Sequence, residues 1–236
     1  MVQNPLIVAL DLPTLRAAEV VVKRLKKHVT IFKIGLQLFT REGPKVVQMV
    51  QRHGGEVFLD LKFHDIPNTV AQACESATRL RVAMMTLHVS GGLEMLQRAV
   101  ASTRSVAKSI KCPKPHLLGV TVLTSTAPTA ATKRQVRAMA QLAQEAGLDG
   151  VVCAATELSA VRRVCGPKLL LVTPGIRPAG DAHGDQKRVM TPKEAIDLGA
   201  NYLVMGRPIL ESRDPVGVCR GVIHHALHRV LPGYSS

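Results

Sequence analysis

The sequence predicts an α/β protein, a closed (β/α)8 TIM barrel forming a single domain over residues 1–236, and three observations predict it. Eight short apolar runs recur along the chain. Amphipathic segments with helical spacing separate them, and the length of 236 residues lies where α/β barrels run as one domain.

In chain order, "LIVALD" (6–11) opens the alternation and an amphipathic stretch over 14–28 follows it. "IFKIG" (31–35) and "VFLDLKF" (57–63) come next, then a helical pattern over 67–81. "MMTLHVS" (84–90) precedes a helix over 92–109, and "HLLGVTVLTS" (116–125) precedes one over 129–146. "GVVCAA" (150–155) leads into 156–164, and "LLLVTPG" (169–175) and "YLVMGRP" (202–208) complete the eight before a last helix over 214–229. Several helical patterns end at glycine just before the next run, as in "RHGGEV", "EAGLDG" and "DLGANY". A doubly wound open sheet usually has fewer strands and a glycine-rich first turn, which this chain lacks. No linker or low-complexity tract interrupts the pattern.

Composition narrows the function classes. Hydrophobic residues make up 46% and charged residues 20%, which excludes a disordered chain. With no Trp, 2 Tyr and 4 Phe, the core must be aliphatic. The 5 cysteines are odd in number and form no C-x-x-C pair, as expected of free packing thiols in a reducing compartment. No basic leader precedes a long apolar run, and no stretch approaches the roughly 18 apolar residues of a membrane span. A soluble cytoplasmic protein is expected, with no membrane partner. The net charge of +14 suits nucleic acid, a membrane surface or an anionic ligand. No aromatic residues interleave with the basic ones to stack bases, so no nucleic-acid partner is expected. A solvated basic surface and a basic pocket for an anion are.

In barrels of this type chemistry gathers where strands end. The polar residues within or ending the runs are Asp11, Lys33, Asp60, Lys62, Asp65, His88, Thr124, Arg177 and Arg207. Strand side chains alternate between faces. Val57, Leu59, Leu61 and Phe63 therefore share an outer face, while Phe58, Asp60, Lys62 and His64 point into the barrel. The same parity turns Lys33 inward between Phe32 and Ile34, and sets Asp11 above Ile7 and Ala9. Asp11, Lys33, Asp60 and Lys62 thus meet at one mouth. They could form a salt-bridge cluster that only holds the barrel together. Buried ion pairs often fail to recover their desolvation cost, which favours a functional array that shifts pKa values and creates a field.

Pro67 suits the first turn of a helix, which makes Asp65 and Ile66 the strand-to-helix turn. Asp65 could also be only a helix cap. Thr69 falls in the first helical turn. "TPGIRP" (173–178) and "MGRPI" (205–209) place backbone amides, Arg177 and Arg207 after the last two strands, where barrels often hold phosphate. The loop over 178–188, with Gln186, reads as a lid. His224 and His228 stand at i, i+4, but without a third ligand they read as a solvated helix end and not a metal site.

The motif D-x-K-x-x-D-I-P-N-T, with "FKIG" upstream and "TPGIRP", "GDQ" and "GRPI" downstream, resembles bacterial orotidine 5'-phosphate decarboxylases over Asp11 to Pro208. The resemblance implies cofactor-independent decarboxylation of orotidine 5'-monophosphate to UMP, in the last step of de novo pyrimidine synthesis. It implies a homodimer with shared active sites. Lys62 is then the proton donor to C6 of the pyrimidine. Lys33, Asp60 and Lys62 form a charge network completed by Asp65 of the other subunit, with Thr69 of that subunit at the ribose. Asp11 and Lys33 bind ribose hydroxyls and Thr124 approaches the pyrimidine. Arg177, Gln186, Gly206 and Arg207 supply the phosphate and lid contacts, and His88 supports the array from behind.

An alternative shares the fold and the D-x-K-x-x-D motif. The sugar-phosphate relatives, 3-keto-L-gulonate 6-phosphate decarboxylase and hexulose-phosphate synthase, use Mg2+ held partly by an acid at the position of Lys33. A lysine there repels the cation, so no metal and no cofactor are expected.

Overall fold

Each of the eight apolar runs forms a strand in the computed structural model, which describes residues 4–123, 129–177 and 190–227. The strands are β1 (Leu6–Ala9), β2 (Ile31–Gly35), β3 (Glu56–Phe63), β4 (Met84–His88), β5 (His116–Val120), β6 (Gly150–Val152), β7 (Leu170–Pro174) and β8 (Tyr202–Met205). All neighbouring pairs are parallel, and β8 returns to β1 through Leu6 opposite Leu203, so the sheet closes into a barrel in chain order. Closure leaves no edge strand to protect.

The helices are α1 (Leu15–Leu25), α2 (Leu36–Glu42), α3 (Pro44–Arg52), α4 (Pro67–Arg79), α5 (Gly92–Ser109), α6 (Ala130–Glu145), α7 (Leu158–Cys165), α8 (Pro192–Asp197), α9 (Arg207–Leu210) and α10 (Pro215–Leu227). Thr14 and Thr129 cap α1 and α6 by accepting the amides of Ala17 and Thr132. The segment between β2 and β3, assigned no helix from sequence, holds α2 and α3. Gly43, at φ 60, and Pro44 divide it into two pieces, each too short to show a clear period. α8 is a single capping-box helix started by Thr191 and Glu194.

Two apolar layers follow from strand parity. Ile7, Ala9, Ile31, Phe58, Met84, Leu118, Val172, Tyr202 and Val204 fill the barrel interior. Leu6, Val8, Phe32, Ile34, Val57, Leu59, Met85 and Leu87 belong to the outer layer under the helices. Strands run toward the mouth and helices return from it. The basic residues in the last turns of α1, α3, α4 and α5, Lys23, Arg24, Arg52, Arg79 and Lys108, therefore gather at the opposite end of the barrel. There they complement the helix dipoles, which accounts for part of the +14 charge. Among the described residues no helix is long and apolar enough to cross a membrane.

Candidate active site

The inward parity of β2 and β3 brings the charges together at the mouth. Lys33, 9% exposed, places its Nζ 3.1 Å from Asp11 Oδ1 and 3.5 Å from Asp60 Oδ2. Lys62 Nζ lies 2.8 Å from Asp60 Oδ1. The result is an ammonium, a carboxylate and a second ammonium in sequence, with Asp11 on the outer side of Lys33. Burial alone would raise the Asp60 pKa. The charges of Lys33 and Lys62, with hydrogen bonds from Lys62 and Thr86, outweigh that and hold it below the ordinary carboxylate value.

These residues form one wall of a cavity of about 280 Å³. Gly175, Arg177, Gly206 and Arg207 line it from the ends of β7 and β8, and Phe58, Val120, Val152 and Val204 add apolar surface. A reactive carbon against the charged wall and an anionic group at the arginine side would both fit this division.

Two glycines let the charged wall close up. A Cβ on Gly35 would meet Lys33 Nζ at 3.3 Å and Asp11 Oδ1 at 3.5 Å, and one on Gly206 would meet Asp11 Oδ2 at 3.3 Å. Gly35 escaped the sequence reading, although it ends the quoted "FKIG". Thr86 also escaped it: its hydroxyl donates to Asp60 Oδ1 at 3.0 Å. The parity that places Met84 inside the barrel puts Thr86 on the same face, so that signal was present.

Other expected residues lie apart. Asp65 and Thr69 are exposed and do not line the cavity of their own chain. The cap reading of Asp65 is corrected: the N-cap of α4 is Ile66, with no side-chain cap, and among the described residues Asp65 Oδ1 accepts just the neighbouring Ile66 amide, at 2.6 Å. His64 is corrected as well. Lys62 adopts φ 53, and the β3–β4 register shifts between Leu59 and Phe63, so regular alternation stops before His64. His64 is exposed and its ring lies tilted by 44° beside that of His88, centroids 5.4 Å apart. Burial, with the like charges of His64 and Lys62, lowers the His88 pKa against the pull of Asp60. Thr124, Gln186 and His228 lie outside the described residues.

Among the described residues no three His, Cys, Asp or Glu side chains converge to hold a metal ion. A mouth with this charge pattern defines a (β/α)8-barrel enzyme for a small anionic substrate. The family model described as "Orotidine 5'-phosphate decarboxylase / HUMPS family" matches residues 4–222, and the chain belongs to that family. It is 49% identical to the orotidine 5'-phosphate decarboxylase of Moorella thermoacetica, over 93% of this chain and 91% of that protein. It is 46% identical to that of Trichlorobacter lovleyi, over 91% of each. Among solved structures, the orotidine 5'-phosphate decarboxylase of Lactobacillus acidophilus superposes with a TM-score of 0.79 at 31% identity, over 95% of this chain and all of that one. An uncharacterized conserved protein from Geobacillus kaustophilus gives 0.82 at 33% identity, over 94% and 100%.

Proposed function

We propose that the barrel mouth decarboxylates orotidine 5'-monophosphate to UMP and CO2, the last step of de novo pyrimidine synthesis. The observation that carries this reading is the Lys33, Asp60 and Lys62 array against one wall of the cavity. When the bond between C6 and the carboxylate carbon breaks, its electron pair stays on C6 in the ring plane, where the ring cannot delocalise it. Stabilisation must then be electrostatic and the proton close at hand. The Lys62 ammonium supplies both: its N–H bond breaks, its proton forms the new C6–H bond, and the neutral amine recovers a proton from solvent. Asp60 keeps Lys62 oriented through its Oδ1 contact with the ammonium. Asp11 and Lys33 take the ribose hydroxyls, and Thr124 approaches the pyrimidine. Arg177, Gln186, Gly206 and Arg207 bind the phosphate, whose binding energy is used at the reacting carbon.

A second copy of the chain completes the site. Asp65 makes no ion pair among the described residues, although it stands one turn beyond the array. Leu36, Ile66 and Leu123, which follow β2, β3 and β5, are 56%, 67% and 48% exposed and form an apolar rim for a partner. In the resulting homodimer Asp65 joins the neighbour's charge array and Thr69 its ribose. The five cysteines are free, in keeping with a cytoplasmic location.

The test is turnover of orotidine 5'-monophosphate by purified protein with and without EDTA. UMP forms at the same rate in both. Strict dependence on added Mg2+ would move the assignment to the sugar-phosphate branch, despite the cation-repelling Lys33.

A further inference from the structure

The β3–β4 seam behind the charged wall is held by a threonine that the motif does not include. Thr86 stands in the middle of β4, fully buried. Its Oγ1 accepts the Lys62 backbone N–H at 2.9 Å and donates its single proton to Asp60 Oδ1 at 3.0 Å. Both partners belong to the charge array, and both are reached from the neighbouring strand.

The local backbone explains why such a tie is needed. Leu59 pairs with Met85 and Phe63 with Leu87, so four steps along β3 face two along β4. Within that irregularity Lys62 takes φ 53, a left-handed conformation that a long side chain adopts only when its surroundings impose it. Its amide donates to the Thr86 hydroxyl within this irregular stretch. The same hydroxyl fixes the oxygen that Lys62 Nζ contacts at 2.8 Å.

We propose that Thr86 is a positioning residue of the decarboxylation, one hydroxyl that sets both the backbone from which Lys62 projects and the carboxylate that aims its ammonium. This rests on the decarboxylase reading above. Thr86 does not line the cavity, so it acts through Asp60 and Lys62 and not on the substrate. Valine would fill the same space but leave the Lys62 amide without its acceptor and Asp60 without one donor. The ammonium would then be held by a looser carboxylate on a looser backbone, and displacement of a catalytic group by about 1 Å can cost on the order of 100-fold in rate.

The test compares Thr86→Val, Thr86→Ser and, as a control, Thr103→Val, which alters a buried threonine of α5 remote from the cavity. Thr86→Val is expected to lower kcat by about 10- to 100-fold while KM for orotidine 5'-monophosphate changes by less than about threefold. Thr86→Ser recovers most of the lost rate, and Thr103→Val matches the parent. An active parent with an undiminished Thr86→Val kcat overturns the proposal alone, as does serine performing no better than valine. A KM that rises as far as kcat falls would assign Thr86 to substrate binding instead. Should Thr86→Val not fold, Thr86→Ala against Thr86→Ser carries the same comparison. A parent that does not turn over the substrate overturns the decarboxylase reading and this proposal together.

Discussion

Asp60 lies between two ammonium groups, and its two oxygens are divided between them: Oδ1 is 2.8 Å from Lys62 Nζ and Oδ2 is 3.5 Å from Lys33 Nζ. Replacing it leaves two like charges facing each other in a place poor in water. Asp60→Asn should lower kcat/KM by roughly 10²- to 10³-fold and also lower the melting temperature, because among the described residues the buried Lys33 then keeps Asp11 as its one carboxylate partner. Steady-state kinetics and thermal denaturation on one preparation check both.

The contact of Gly35 with the array is steric. Its φ is −94°, a conformation any residue adopts, so Gly35→Ala introduces no backbone strain. The added methyl would stand 3.5 Å from Asp11 Oδ1, an ordinary contact, but 3.3 Å from Lys33 Nζ, close enough that the ammonium must shift by a few tenths of an ångström. Activity should fall about tenfold while thermal stability stays within about 0.5 kcal/mol of the parent. A large stability loss would show that Gly35 serves the fold.

At the far end of the barrel Asp149 ties the starts of β5 and β6. It accepts Lys114 Nζ at 2.6 Å and the Leu117 amide at 2.8 Å, and His116 Nδ1 stands 3.8 Å away. Burial opposes its ionisation, yet His116, Lys114 and the Leu117 amide hold its pKa down to about 2. The unfolded chain binds this proton more readily. Asp149 therefore contributes stability above pH 4, about 2 kcal/mol, which fades as pH falls from 4 toward 2. Denaturant unfolding should show Asp149→Asn weaker than the parent at pH 7, with the gap closing below pH 4.

Arg162 clamps the same end at α7. Its guanidinium donates to the carbonyls of Gly166 (2.7 Å), Leu169 (2.8 Å) and Gly199 (2.6 Å) and to Asn201 Oδ1 (3.0 Å). A lysine cannot reproduce that fork. Both Arg162→Ala and Arg162→Lys should lose about 3 kcal/mol, seen as a melting temperature lower by roughly 6–12 °C. Their kcat at 25 °C should match the parent, since the clamp lies opposite the mouth.

Asp65 tests the second subunit. Lys62→Ala and Asp65→Ala proteins are each expected to be inactive, and if a second copy completes the site as proposed, mixing them under conditions of subunit exchange should restore activity through sites that carry both native residues. No recovery, with exchange demonstrated by mass spectrometry, would place Asp65 in its own chain's function.

Much of this was legible because a strand's period is two. Parity alone placed Lys33, Asp60 and Lys62 on one wall, and their contacts in the structure agree. Parity failed at His64, where the φ of 53 at Lys62 and the register shift redirect the chain. Nothing in a one-dimensional pattern announces that a lysine will take a glycine-like conformation. Thr86 was hidden differently: its role depends on which residue of β4 sits opposite the irregularity, a relation between strands 26 residues apart. α2 and α3 were obscured by the break at Gly43 and Pro44.

The most direct test is turnover of orotidine 5'-monophosphate in D2O by the parent and Lys62→Ala, with the product analysed by mass spectrometry and NMR. If Lys62 delivers the proton to C6, the parent yields UMP carrying one deuterium at C6, and folded Lys62→Ala is slower by at least about 10³-fold. A folded Lys62→Ala protein that forms UMP within tenfold of the parent rate would contradict the account.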